Sequence, residues 1–370
     1  MSDQTHLWSD TYDGTLADCL AFQAEVAGRI ARALAVELLP TTVKRIATCC
    51  TENAEAYQAY LKGRYHWNTL SLERSERALA YYNTAIELDP GFARAHAALA
   101  RAQVRLVEYR DQPIRQMLEA ARDSATRSVR LDPTLSWGHL ALASVKERLD
   151  WDWEGAESHY RQALSLGPNC ESAHFLYGRF LAAMNRPVEA RALLARACDI
   201  DPLCLVVTST EAWVHYISRS YDDAIRAARH VLDMDPGFES AHRLLGAASL
   251  EVGRFADAVD HFRRAAALEA RHPVTLTWLA HGLASAGHTA EAEALLGELT
   301  ASSPPRYVSP YRLALVHIGL GDVDAAFEAL GAAYDERAVG IVNLAVEPRF
   351  DLLRGDARFS RLLRGLGLES

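Results

Sequence analysis

A spacing of 34 residues constrains this chain more than any other feature of it. Small side chains return at that interval in Ala156, Ala190, Ala224, Ala258, Ala292 and Ala326. A second row runs through Ser144, Gly178, Ala212, Gly246, Ala280 and Ala314, and a third through Ala163, Ala197, Val231, Ala265, Leu299 and Ala333. A fourth row, Tyr160, Leu194, Ala228, Phe262, Leu296 and Leu330, is mostly large and apolar. Ala190, Leu194 and Ala197 lie at helical spacing, so they share one helix face. Small residues let two antiparallel helices approach closely, and large apolar ones pack into the next unit. Such units bury a continuous core only by stacking on one another.

The punctuation calls for two helices per unit. Gly253, Gly287 and Gly321 mark a turn where positive φ is needed. Asp89-Pro90, Asp132-Pro133, Asp201-Pro202 and Asp235-Pro236 close units, with Gly167-Pro168 and Ser303-Pro304 in the same role. Proline cannot continue one helix but suits the first turn of the next. Ala270 takes one expected proline slot, and Pro273 follows three residues late. No segment sustains the alternation of a strand-rich fold. Small positions and a closing proline at 34 residues resemble the tetratricopeptide repeat. Residues 59–90 fit the pattern through Tyr82, Ala85 and Pro90, and 93–133 form a longer unit with an extension around Glu108–Pro113. Eight helical pairs are expected from about 59 to 337.

The expected fold is all-α: a right-handed superhelical solenoid of helix-turn-helix repeats over residues 51–340. A C-terminal cap over 341–370 is expected to cover the last repeat with Phe359, Leu362, Leu363 and Leu366. Residues 1–50 read as a short strand (5–12) followed by an amphipathic helix (16–38). A lone strand needs a partner, so this segment is expected to dock, to pair with another chain, its copy in a homodimer included, or to remain frayed.

Several runs resemble one large bacterial group. They are Leu61-Lys62-Gly63-Arg64-Tyr65-His66-Trp67-Asn68, Asp150-Trp151-Asp152-Trp153, Arg306-Tyr307-Val308-Ser309-Pro310-Tyr311 and the ending from Pro348 to Leu363. In that group a tetratricopeptide array follows a small α/β domain of TolB/FlgO type. A winged-helix, adenylate cyclase or kinase effector often precedes both. The resemblance implies that residues 1–50 are the remnant of the α/β domain and that the chain is a regulatory tail.

Composition narrows the partners. The net charge of −9 disfavours direct, sequence-independent nucleic-acid binding. Lys44, Lys62 and Lys146 are the only lysines among 39 basic residues, and arginine suits carboxylate partners. Cys19, Cys49, Cys50, Cys170, Cys198 and Cys204 form no C-x-x-C and no disulfide framework, which fits a reducing, cytoplasmic setting. No apolar run reaches the roughly 18 residues of a membrane span, and the first residues lack a signal pattern.

No phosphate loop, nucleophile elbow or metalloprotease motif occurs. His96, His139, His174 and His242 each follow a closing proline by six residues. They belong to successive repeats about 10 Å apart, too far for one metal, and read as packing residues. The Trp151 and Trp153 pair likewise reads as packing at a repeat edge rather than as a cation cage. No cofactor, metal or catalytic residue is expected.

The expectation is a non-catalytic scaffold that binds a protein or peptide, possible carboxylates included, in a groove formed by the first helices. The groove candidates at one repeat position are Trp67, Arg101, Arg179, Trp213 and His281. Near them fall Arg64, Arg105, Tyr216, Arg243 and Trp278. Arginine and aromatic residues carry interface energy. The alternative is a regulatory or sensor subunit for a separately encoded transcription factor, adenylate cyclase or kinase.

Overall fold

The computed structural model describes residues 51–67, 72–107, 115–301 and 307–369. Every regular element among them is helical. The expected strand at 5–12 and helix at 16–38 lie outside the described residues.

Eight helical pairs follow one another. They are α1 (Ala54–Trp67) with α2 (Leu72–Leu88), and α3 (Ala93–Leu106) with α4 (Arg115–Leu131). Next, α5 (Ser136–Val145) runs into a π-helical turn, Lys146–Asp150, before α6 (Trp153–Leu166). Then come α7 (Glu171–Ala183) with α8 (Pro187–Ile200), and α9 (Leu205–Ile217) with α10 (Tyr221–Met234). The array ends with α11 (Glu239–Glu251) and α12 (Phe255–Leu268), α13 (Pro273–Ser285) and α14 (Thr289–Ala301), and α15 (Pro310–Gly319) and α16 (Val323–Asp335). Odd-numbered helices are therefore the first of each pair. Short 3-10 turns at Val339–Asn343 and Pro348–Leu353 lead to α17 (Ala357–Leu366).

The described residues fall into two compact units. Unit 1 reaches to Leu106 and adds Ala120–Ala141; unit 2 takes Val107–Glu119 and the residues from Leu142 onward.

In unit 2 the four periodic rows are the core. All six alanines of the first row are fully buried, and across the four rows only Leu296 is half-buried. The small residues are required by contact. A Cβ added to Gly246 would lie 2.6 Å from the Phe262 ring, and one on Gly178 would lie 3.1 Å from Leu194 Cγ.

The turns between helices repeat with equal regularity. Gly253, Gly287 and Gly321 take φ of 76°, 84° and 78°. The three preceding positions in that row are Trp151, Asn185 and Arg219, and they too are left-handed, at 56°, 58° and 58°. For a residue with a Cβ this conformation costs roughly 1–2 kcal/mol, with asparagine better tolerated than most. Trp151 and Arg219 must therefore be held by contacts of their side chains.

The junctions between repeats are stapled twice. The Asp89 carboxylate accepts the Gly91 N–H at 2.9 Å, and Asp235 accepts that of Gly237 at 2.8 Å, each forming a local turn. The four histidines that follow the prolines do more than pack. Each Nε2–H donates back to the proline carbonyl: His96 to Pro90 and His242 to Pro236 at 3.1 Å, His139 to Pro133 and His174 to Pro168 at 2.9 Å. This gives a partner to a carbonyl that the turn leaves without a helical one.

Candidate functional site

In unit 1, four groove candidates gather on the first helices. Trp67 ends α1, and Arg101 and Arg105 lie one turn apart on α3. The Arg105 guanidinium carbon sits 3.2 Å from the centre of the Trp67 ring, and its Nη2 donates to the Trp67 carbonyl at 2.9 Å. Arg101 lies 5.4 Å from the same ring and 3.5 Å from that of Trp137 on α5. Arg64, exposed, lies 6.0 Å from the Tyr60 ring. Burial raises the Tyr60 pKa, while Arg64, Arg94 and Arg101 oppose the rise. This end of unit 1 is thus a cationic patch on an aromatic floor. Trp137 was not among the sequence candidates, because its link to Arg101 crosses between repeats. A separate cleft of about 600 Å³ runs along the junction loops, lined by Asn53, Asp89, Phe92 and Asp132. Its aspartates are engaged by local turns, Asp89 accepting the Gly91 N–H and Asp132 the Thr134 N–H, each at 2.9 Å.

Unit 2 departs from an open groove. The segment after α16 does not only cover the last repeat; it enters the face of the first helices. Glu347 and Arg349 form an ion pair at 2.8 Å with side chains only 6% and 4% exposed. The Tyr216 hydroxyl on α9 donates to Glu347 at 3.2 Å. Arg349 stacks on Trp278 of α13, its guanidinium carbon 3.5 Å from the ring centre. Arg219 donates to the Val346 carbonyl at 3.0 Å and to Asp351 at 2.7 Å. Phe350 meets Tyr311 of α15 edge-on at 5.5 Å. The same segment and α17 build a core with Phe327, Leu330, Leu344 and Phe359.

The beginning of unit 2 is tied to its end. The Trp153 indole N–H donates to the Leu366 carbonyl at 2.8 Å. Trp151 lies 4.9 Å from the Tyr334 ring, with the Arg337 guanidinium carbon 3.9 Å from its centre. The tryptophan pair is therefore packing, as its sequence position implies, and its target is the C-terminal region.

The remaining candidates divide accordingly. Tyr216, Trp278 and His281 are buried, the first two directly against the C-terminal segment. Arg243 is half-buried, bonded to Glu239 and Ser240, and 5.5 Å from Trp278. Arg179 and Trp213 are half-buried, and Arg179 lies 5.8 Å from the Phe175 ring. The expectation of ten residues facing one open groove is thus corrected for the buried three. A segment far along the chain covers Tyr216 and Trp278, and His281 is enclosed against Leu315 of α15.

Electrostatics in this region reflect burial. Desolvation works against ionising Glu347, but Arg349 outweighs it and holds the carboxyl below its ordinary value. Burial, then the charge of Arg349, pushes His281 down to about 4; its Nδ1–H donates to the Leu315 carbonyl at 2.8 Å. Burial, with Arg243 and Arg349 nearby, lowers Arg312 to about 10. Burial and Glu347 raise Glu251.

Among the described residues no group of three or more His, Cys, Asp or Glu is placed to hold a metal. Burial raises the Cys198 and Cys204 thiols, away from reactive thiolates. No helix among the described residues is long and apolar enough to cross a membrane.

This geometry of stacked antiparallel pairs defines a helical repeat protein. Models of the tetratricopeptide repeat match residues 70–92, 151–204, 210–273 and 249–311. The chain thus carries tetratricopeptide repeats over these residues. It is 31% identical over 164 residues to a Rhizobium meliloti (strain 1021) protein named as an adenylate cyclase, a match that covers 44% of this chain and 24% of that one. It is 26% identical over 145 residues to the Mus musculus protein O-mannosyl-transferase TMTC3, covering 36% of this chain and 16% of that one. The matches therefore span a quarter or less of these relatives. Among solved structures, a monomeric IFIT1 mutant with m7Gppp-AAAA aligns over 95% of this chain and 80% of its own, at a TM-score of 0.59 and 15% identity. Yeast Tom70 aligns over 85% of this chain and 68% of its own, at a TM-score of 0.51 and 14% identity. At such identities the likeness is one of fold alone.

Proposed function

We propose that this protein is a non-catalytic scaffold that binds a protein or peptide partner on its first-helix faces, with the arginine and tryptophan cluster of unit 1 as the site. The observation that carries this reading is the cluster of Arg64, Trp67, Arg101, Arg105 and Trp137. A guanidinium supported on its face by an aromatic ring suits a carboxylate lying in its own plane. The floor adds apolar area of the type found at interface hot spots. An acidic, extended peptide fits both features. Its presentation requires no chemical step, only a preformed surface.

A binding assay against a peptide array tests this. The native chain is expected to retain peptides rich in Asp and Glu, with affinity falling as salt is raised. Arg64→Glu with Arg101→Glu should abolish that binding and leave the melting temperature within a few degrees. Equal retention of neutral peptides, or indifference to the double variant, would overturn the reading.

A second reading is a regulatory subunit acting on a separately encoded effector. The match to the Rhizobium meliloti protein named as an adenylate cyclase favours it. It predicts that the partner captured by unit 1 is itself such an effector.

A further inference from the structure

We propose that the segment Leu344–Phe350 is a built-in ligand of unit 2. It fills the face presented by α9, α13 and α15 and holds off an outside partner of its own chemistry: a short turn-forming stretch with a carboxylate, then an arginine and an aromatic residue. The proposal rests on the reading that first-helix faces of this chain take peptides, and it adds how one of those faces is regulated.

The contacts of the segment differ from those of a plain cap. A cap needs only apolar side chains over the last pair, and Leu344, Phe350, Phe359 and Leu366 supply these. The segment also reaches back three repeats, to Tyr216 and Arg219. It is read group by group. A tyrosine hydroxyl addresses its carboxylate, an indole face its guanidinium, and an arginine one of its backbone carbonyls. Its backbone turns through Leu344–Val346, is extended only at Glu347, and enters the 3-10 turn at Pro348. A desolvated ion pair gains little over well-packed apolar residues. Its presence fits a need for specificity.

Arg219 supports this independently. Three later repeats place glycine at the same turn, but here an arginine is held in the left-handed region. Its side chain donates to Val346 and Asp351, both in or next to the segment. A strained conformation kept for the sake of such a contact points to a function of the contact.

The experiment uses the full chain and a fluorescent peptide of sequence Asn-Leu-Ala-Val-Glu-Pro-Arg-Phe-Asp-Leu-Leu, the residues 343–353. Arg349→Ala weakens only the resident copy and leaves Tyr216, Arg219 and Trp278 in place. Fluorescence anisotropy is expected to show at least tenfold tighter binding of the peptide to this variant than to the native chain. A peptide with Glu replaced by Gln and Arg by Ala should not bind. Arg219→Gly provides a second route, since glycine suits the turn. Hydrogen exchange at 344–350 should rise at least tenfold there, while α9 and α13 keep their protection. The proposal is overturned if the peptide binds neither chain. It is also overturned if the segment exchanges only when all of unit 2 does, or if Arg349→Ala loses its helical signal. None of these outcomes touches the acidic-peptide binding assigned to unit 1, which the Arg64 and Arg101 variant reads separately.

Discussion

Gly253 and Gly246 resist substitution for different reasons. Around Gly253 there is open space, so Gly253→Ala meets only the backbone penalty of its φ of 76°, roughly 1–2 kcal/mol. Gly246→Ala drives a methyl group into the Phe262 ring, an overpacking cost of about 1–3 kcal/mol. Urea denaturation distinguishes the two: adding Phe262→Leu should recover part of the second loss and none of the first. The glycines at 253, 287 and 321 were legible as turn residues in the sequence. That Trp151 and Arg219 adopt the same conformation was not, because the contacts holding them come from residues more than 100 positions away. Nor did the periodic pattern disclose the histidine-to-proline hydrogen bonds. It gave the spacing of six, but the direction of Nε2 depends on how the turn folds back.

At the level of elements, the final segment and the first helices form one electrostatic body. His281 is held at about 4 against an ordinary 6.5. Between those values the unfolded chain binds a proton that the folded chain refuses. Stability is therefore full above pH 6.5 and falls as pH is lowered toward 4, by up to about 3 kcal/mol from this residue. His96 and His261 are lowered as well and act in the same sense. Glu251, raised by burial, opposes them below neutral pH. The net expectation is a melting temperature several degrees lower at pH 5 than at pH 7.5. His281→Gln should lower stability at pH 7.5 but flatten the profile; an unchanged profile would remove His281 as its source. A neutral contact closes the same unit. Trp153→Phe, which deletes the hydrogen bond to Leu366, should cost about 1 kcal/mol and raise exchange in α17. The terminal helix itself was legible from Phe359 and Leu366. The reach of the preceding segment to α9 was not, since Glu347, Pro348 and Arg349 read as ordinary loop residues until their partners are known.

On the scale of the whole molecule, one repeat pattern yields two kinds of face. In unit 1 the first helices carry arginines on tryptophan, and in unit 2 the chain's own segment lies on Tyr216 and Trp278. Counting along the repeats found candidate residues in both, because the repeat position is the same. It could not separate them, because occupancy is a property of the folded chain. The direct measurement is a crosslinked pull-down from native host lysate, quantified by mass spectrometry for three chains in parallel: native, Arg64→Glu with Arg101→Glu, and Arg179→Glu with Trp213→Ala. The account predicts a partner held by the native chain and by the unit 2 variant, and lost from the unit 1 variant at unchanged melting temperature. A partner kept by the unit 1 variant and lost from the unit 2 variant would contradict it.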